Sequence, residues 1–385
     1  MCPLKEAARD APNQIALLAR RYSFSYAELD RYVGSITPPL VTKEPPGPLL
    51  IAQFFAAWRR GSSLFPLNPR IPQTPDILPP PPQSLLLYTS GSTAAPKIAV
   101  LSLSNLIANA STAIQALDLG PSDQWRLTLP LYHVGGIGIV LRCILARATI
   151  VLDDSPDITH LSYVPTHLYR ATPVYKKLRC LLLGGAPISS YPQHLPVHTT
   201  YGLTEMASMV TLNGALLPNR ELSLAPDGEI FVKGPCLFQG YLNHPSSIDW
   251  FPTKDLGRFE NNKLIILGRK DWMFISGGEN IQPEEIEREL LAIPDVYEAA
   301  VLPIDDPEFG KRPVAVVRAA NSFHFAQMQR ELSKTLPKFK IPVALFFIDE
   351  MPQKNNFKLN RFILSQYIED QLDRNKSGQK KQAYL

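Results

Sequence analysis

Residues 88–97 read YTSGSTAAPK, a loop that gathers hydroxyl side chains, one glycine and a closing lysine. Such residues suit a polyphosphate. The hydroxyls of Thr89, Ser90, Ser92 and Thr93 and the unhindered backbone at Gly91 offer hydrogen-bond donors, and Lys97 adds a compact positive charge. The loop is not of the Walker type, because no Gly-Lys-Ser/Thr follows the glycine at the required distance. A plain surface turn is the competing reading for a lone loop of this composition.

The flanking elements make the loop more specific. The apolar runs at 84–88 and 98–101 read as two strands on either side of it. Ser104 is placed as the N-cap of a helix running through Leu106, Ala110 and Ile114. Further strands are expected at 149–152, 160–164 and 179–183, the last followed by Gly184 and Gly185. Short apolar runs alternating with helical patterns predict mixed α/β layers. The proline-dense stretch 71–83, IPQTPDILPPPPQ, sustains neither helix nor central strand and is expected to be a stiff connector.

From about Gly268 the texture changes. A glycine-containing bend at 275–280 precedes QPEEIERELL, in which Pro283 suits a first helical turn and the acidic residues favour a helix N-terminus. Strands at 299–303, 313–318 and 343–348 and a helix at 325–336 predict a small α+β unit. The expected organisation is therefore a large N-terminal domain over 1–268 and a small C-terminal domain over 269–385, with a polar, basic tail at 373–385 that frays.

Composition excludes several classes. The chain has 385 residues, 45% hydrophobic and 19% charged, the balance of a folded enzyme-sized protein. A net charge of +4, with lysines and arginines scattered, argues against nucleic-acid binding. The four cysteines, Cys2, Cys143, Cys180 and Cys236, lack metal-ligand spacing and predict no disulfide framework, which fits a reducing cytoplasm. Residues 1–20 do not read as a secretory signal, and no apolar run is long enough to span a bilayer.

With the loop in place, a family resemblance emerges. YTSGSTAAPK resembles the phosphate loop of the adenylate-forming superfamily of acyl-CoA synthetases, luciferases and peptide-synthetase adenylation domains. LPLYH (129–133) resembles its acyl-site segment, LLLGGAPI (181–188) its adenine-side loop and YGLTE (201–205) its ATP-site motif. DGEIFVKGP, TKDLGRF, GRKD and FKLNR follow in the family's order, so the likeness runs from about residue 26 to 361. It implies an α/β adenylate-forming domain, a mobile small domain with a hinge near Asp271, and a soluble AMP-forming acid–thiol ligase using ATP, Mg²⁺ and coenzyme A.

The resemblance also implies roles, residue by residue. Thr89, Ser90, Gly91, Ser92, Thr93 and Lys97 would hold the phosphates, and Gly184, Gly185, Ala186, Tyr201 and Gly202 would line the nucleotide. Thr204 would hydrogen-bond the α-phosphate, and Glu205 would bind Mg²⁺, a cation served by few carboxylates plus phosphate oxygens. Asp255 would accept the ribose hydroxyls, with Arg269 beside it. Lys358 would bridge the acyl carboxylate and the α-phosphate, where a cation stabilises two anions brought together. Gly277 and Gly278 would let a pantetheine arm approach backbone. Asp271 as a hinge needs only to absorb a dihedral change, its side chain mattering less.

Within the family, LPLYHVGGIGIVLR, SYVPTHLYR and FISGGENIQPEEIERE look most like ligases of o-succinylbenzoate, an aromatic dicarboxylic acid of menaquinone synthesis. One carboxylate of such an acid is activated and the other needs a cation. Arg142 is the candidate for that spectator carboxylate, His133 would orient the reacting carboxylate or line the pocket, and Ser208 would hydrogen-bond the substrate. The chain departs from the family at Ala94 and Phe357, where glycine is usual, and its first subdomain is abbreviated. Alternatives are a ligase of another aromatic or medium-chain acid, or a degenerate nucleotide-binding homologue; a P-loop NTPase is disfavoured by the missing Walker spacing. The partners implied are small molecules, with homo-oligomerisation left open.

Overall fold

The computed structural model describes residues 2–69, 79–89, 97–170, 172–186, 188, 191–242, 244–245, 249–354, 358–376 and 383–384. Ser90, Gly91, Ser92, Thr93, Ala94 and Phe357, together with most of the proline-dense connector, lie outside the described residues. The backbone of Lys358 is described and its side chain is not.

The expected mixed α/β class is the observed one. A nine-stranded sheet forms the centre of the large body. Val197–Leu203, Cys180–Gly184, His160–Tyr163, Gln124–Arg126, Thr149–Val151 and Ile15–Ala19 lie side by side and parallel. Cys180–Gly184 is buried along its whole length, as a parallel strand covered on both faces should be, which explains its unbroken apolar run. The edges turn antiparallel, with Tyr22–Ser25 at one end and Ser208–Leu212 followed by Ala215–Leu216 at the other.

Helices Leu103–Ala116 and Val134–Ala146 bury themselves in the same core as the sheet. The first corrects one expectation: its N-cap is Ser102, not Ser104. Ser102 accepts from the Asn105 backbone while Asn105 returns a bond to the Ser102 backbone, a reciprocal box that Ser104 has no partner three residues on to form. The second helix is buried around most of its circumference. Its Gly136 lies so close to the turn before it that a Cβ there would come within 2.3 Å of the Pro130 carbonyl, so this helix start tolerates only glycine.

Smaller sheets accompany the nine-stranded one. Glu221–Leu224, Glu229–Lys233, Phe251–Glu260 and Lys263–Arg269 form an antiparallel sheet. Ser84–Tyr88 and Ile98–Ser102 pair as the strands flanking the loop, and Gly240–Tyr241 adds to the second of them, with Tyr241 opposite Ala99. After the 3₁₀ turn Lys270–Trp272, the chain builds a sheet of Val296–Asp306, Gly310–Ala319, Leu345–Phe347 and Ala383–Tyr384 around separate apolar clusters. The tail does not simply fray: the last helix continues to Lys376, and Ala383–Tyr384 pairs with Leu345–Phe347, because that strand presents an otherwise open edge.

Candidate active site

The strand Val197–Leu203 delivers Tyr201 and then bends into the 3₁₀ turn Thr204–Met206. Tyr201 donates its hydroxyl to Asp255 Oδ2 at 2.7 Å. Asp255 and Arg269 are cross-strand partners in the neighbouring sheet, so register alone sets their side chains together, and Arg269 Nη1 donates to Asp255 Oδ1 at 3.0 Å. Burial, reinforced by the Asp255 charge, holds the Tyr201 hydroxyl well above its usual range, so it stays a donor.

Asp271, expected at a hinge, has its side chain engaged here: Arg269 Nε and Nη2 donate to its two carboxylate oxygens at 3.1 Å each. The fork of the guanidinium matches a carboxylate in this way. Burial opposes the charge on Arg269, but hydrogen bonds to Asp271 and the charge of Asp255 outweigh it and raise its pKa. The backbone nitrogen of Arg269 also donates to Glu284 of helix Pro283–Leu291 at 3.0 Å. The Asp255–Arg269 pair is thus tied to the turn that leads into the small sheet.

On the phosphate side, the neck of the loop is closed by Thr89, whose amide and hydroxyl both donate to the Lys97 carbonyl, at 2.8 and 3.3 Å. Lys97 Nζ lies 4.8 Å above the Tyr241 ring, within cation–π range. Tyr241 in turn donates its hydroxyl to Glu205 Oε1 at 2.8 Å, and the Glu205 carbonyl accepts from Phe238 N at 2.8 Å. Burial and the Glu205 charge push the Tyr241 hydroxyl up, keeping it protonated. Sequence reading missed Tyr241, since nothing in its spacing shows that Gly240–Tyr241 pairs beside Lys97.

The donor set fits a particular kind of metal. Among the described residues no cluster of three or more His, Cys, Asp or Glu could cage an ion. Glu205 is 9% exposed and near the neck of the loop, so a cation there would take this carboxylate and complete its shell from phosphate oxygens and water. That is the habit of Mg²⁺. In the segment expected to line the nucleotide, Gly184 ends a strand where a Cβ would meet Thr200 at 2.5 Å, and Gly185 turns with φ +80° before Ala186. Gly202 is equally confined, with the Ser208 carbonyl 2.1 Å from a hypothetical Cβ.

The acyl side is the most unusual. His133 is the N-cap residue of helix Val134–Ala146, its ring against Tyr132. Two turns on, Arg142 is 1% exposed. Its Nη2 donates to Ser208 Oγ at 3.2 Å, its guanidinium lies 5.6 Å over the Trp125 ring, and its Nε has no partner among the described residues. Burial drives its pKa down from 12.5 to about 10, so it is charged at neutral pH. The structure therefore brings together Arg142 and Ser208, residues 66 positions apart.

In the small sheet region, Gly277 (φ +57°) and Gly278 (φ +86°) form the two-residue turn between Phe274–Ser276 and Glu279–Ile281. Both central residues of such a turn need positive φ. Gly278 has open space where a side chain would be. Lys358 starts the short strand Lys358–Leu359, paired with Gln353–Lys354.

Comparison with known proteins decides the family. The chain is 36% identical over 318 residues to the 2-succinylbenzoate–CoA ligase of Salmonella typhimurium, a match spanning 74% of this chain and 70% of that protein. Family models for the AMP-binding enzyme and its C-terminal domain match residues 72–242 and 285–358. The chain belongs to the AMP-binding enzyme family. This enzyme is also 33% identical to the 2-succinylbenzoate–CoA ligase of Escherichia coli over 315 residues, 74% of this chain and 69% of that one. A solved lysine-for-arginine variant of E. coli MenE with bound OSB-AMS superposes with TM-score 0.80 at 26% identity, covering 95% of this enzyme and 98% of that chain.

Proposed function

We propose that this enzyme ligates o-succinylbenzoate to coenzyme A in two half-reactions, as a step of menaquinone biosynthesis. The acid's carboxylate oxygen attacks the α-phosphorus of ATP, forming acyl-AMP and releasing pyrophosphate. The CoA thiol then attacks the acyl carbon, forming the thioester and releasing AMP. The observation that carries the choice of acid is Arg142. A guanidinium that is 1% exposed, bonded to Ser208 and paired with no described carboxylate is a costly feature unless a substrate carboxylate completes it.

The chain supplies position and charge rather than a covalent nucleophile. Thr204 and the loop at 89–97 hold the phosphates, and Asp255 holds the ribose hydroxyls while Tyr201 and Arg269 fix its two oxygens. Glu205 would be the carboxylate ligand for Mg²⁺, with Tyr241 orienting it, and the bound cation would supply neutralisation of phosphate charge. Lys358 is the cation between the attacking carboxylate and the α-phosphate, carried by the small domain, and His133 lines the acyl site. The Gly277–Gly278 turn receives the pantetheine arm, with Asp271 holding Arg269 at the pivot. All four cysteines are free thiols, as suits the cytoplasm proposed here, and no helix among the described residues is long and apolar enough to cross a membrane.

The test is AMP and pyrophosphate formation with o-succinylbenzoate, ATP, Mg²⁺ and CoA, each omitted in turn, beside a panel of monocarboxylic aromatic and medium-chain acids. Turnover should require all four components and favour the dicarboxylic acid. Equal or better turnover of the monocarboxylic acids would remove the substrate assignment.

A further inference from the structure

The segment that presents Ser208 is strained. Ala207 has φ +55° and Ser208 φ +123°, values that side-chain-bearing residues rarely adopt. Just beyond, the pairing of Val197–Leu203 with Ser208–Leu212 slips past Val210: Tyr201 faces Thr211, but Gly202 faces Met209 and Leu203 faces Ser208. Strain of this sort persists only where the surroundings hold it.

What holds it is a buried amide on helix Leu103–Ala116. Asn109, 1% exposed, donates from Nδ2 to both Met206 O at 2.9 Å and Met209 O at 2.8 Å, the two carbonyls that straddle Ala207 and Ser208. Arg220 Nε donates to the same Met209 O at 2.9 Å. The circuit closes through Thr112, which accepts from Arg220 Nη1 at 2.8 Å and donates to Asn109 O at 3.1 Å. Two of these bonds end on the Met209 carbonyl, one residue past Ser208, whose hydroxyl accepts from Arg142 Nη2.

We infer that Asn109, supported by Thr112 and Arg220, is a positioning residue for acid recognition: it clamps the strained Ala207–Ser208 turn so that Ser208 and Arg142 together meet the substrate's second carboxylate. The inference rests on the function proposed above. The amide is suited to this task because its single NH₂ group spans two carbonyls, which an aspartate of the same shape cannot do. A one-residue shift of the bulge would turn Ser208 away from Arg142, since successive strand residues face opposite sides.

The experiment compares wild type, Asn109→Ala, Asn109→Asp, Thr112→Val and Ser208→Ala, alone and in the Asn109→Ala/Ser208→Ala pair. Steady-state KM is measured for o-succinylbenzoate and for ATP, and hydrogen exchange is followed at the amides of 207–209. Asn109→Ala should raise the KM for the acid roughly ten-fold, the effect of about one lost buried hydrogen bond, and leave the KM for ATP within about two-fold. In the double variant the two effects on the acid should be strongly sub-additive, and exchange at 207–209 should quicken in every clamp variant. If the Asn109 variants do not fold, the nearly isosteric Thr112→Val decides, with a smaller change of the same kind. Equal rises in both KM values, full additivity, or unchanged exchange in a folded variant would overturn the clamp. Wild type without turnover of o-succinylbenzoate would instead count against the proposed function, and hydrogen exchange at 207–209 would then decide the clamp by itself.

Discussion

Replacing Arg142 by methionine separates a substrate-binding cation from a structural one, because the two roles predict opposite signs. In the free protein the guanidinium is 1% exposed, and burial lowers its pKa from 12.5 to about 10. At about 1.4 kcal/mol per unit, that displacement sets a penalty on the order of 3 kcal/mol for keeping the charge inside. The unfolded chain binds the proton more tightly than the folded one, so the penalty is fully present below about pH 10 and is relieved only as pH rises through about 10 towards 12.5. A methionine of similar length removes it. The free variant should therefore keep or raise its Tm at neutral pH, although it forgoes the bond to Ser208. The acid, by contrast, loses its partner: removing one member of a buried charge pair costs about 2–3 kcal/mol at the low end, a roughly 30- to 150-fold rise in KM for o-succinylbenzoate. Thermal melts with and without the acid, beside steady-state kinetics, read both quantities. A lowered Tm with unchanged acid KM would show that Arg142 serves the core and would refute the assignment.

Lys358→Ala should abolish acid-dependent pyrophosphate exchange while thioester formation from preformed acyl-AMP stays close to wild type; equal loss in both half-reactions contradicts its role. Tyr241→Phe removes the donor to Glu205 and should raise the Mg²⁺ concentration for half-maximal activity roughly ten-fold, as expected for a hydrogen bond to a charged group, and a Mg²⁺ titration checks it. Glu284 has its pKa raised by burial and then by the charge of Glu287. A carboxyl with a raised folded pKa contributes stability below its unfolded value near 4.5 that is lost as pH climbs through the folded one. Glu284→Gln should therefore flatten the decline of Tm above pH 4.5, and an unaltered slope in a pH series of melts would place that decline elsewhere.

Much of the site is written locally. Thr89 and Lys97 stand at the two ends of one loop, so residue type and spacing nominated them, whereas Tyr201, Thr204 and Glu205, on one strand and the turn that ends it, were nominated by their resemblance to a family motif. Likewise the two strands around the loop and the helix starting at Pro283 announce themselves through apolar runs and a proline in the first turn. Where local signals competed, they misled. Ser102 and Ser104 both look like caps, and the choice went to the one with Asn105 three residues ahead. The tail is polar enough to fray, yet an open sheet edge recruited it.

By itself, then, the amino-acid order determined a hydroxyl- and glycine-rich loop suited to phosphate and the succession of motifs that resemble the family, because those properties belong to side chains and to short-range backbone geometry. Only tertiary packing decided that Arg142 faces inward rather than along a helix surface, that Ser208 is its partner, that Tyr241 reaches Glu205, and that Asn109 grips the turn between them. These four contacts join separate strands and helices. Their formation depends on sheet register and on which helix face meets the core, and neither is a property of any stretch short enough to be read alone.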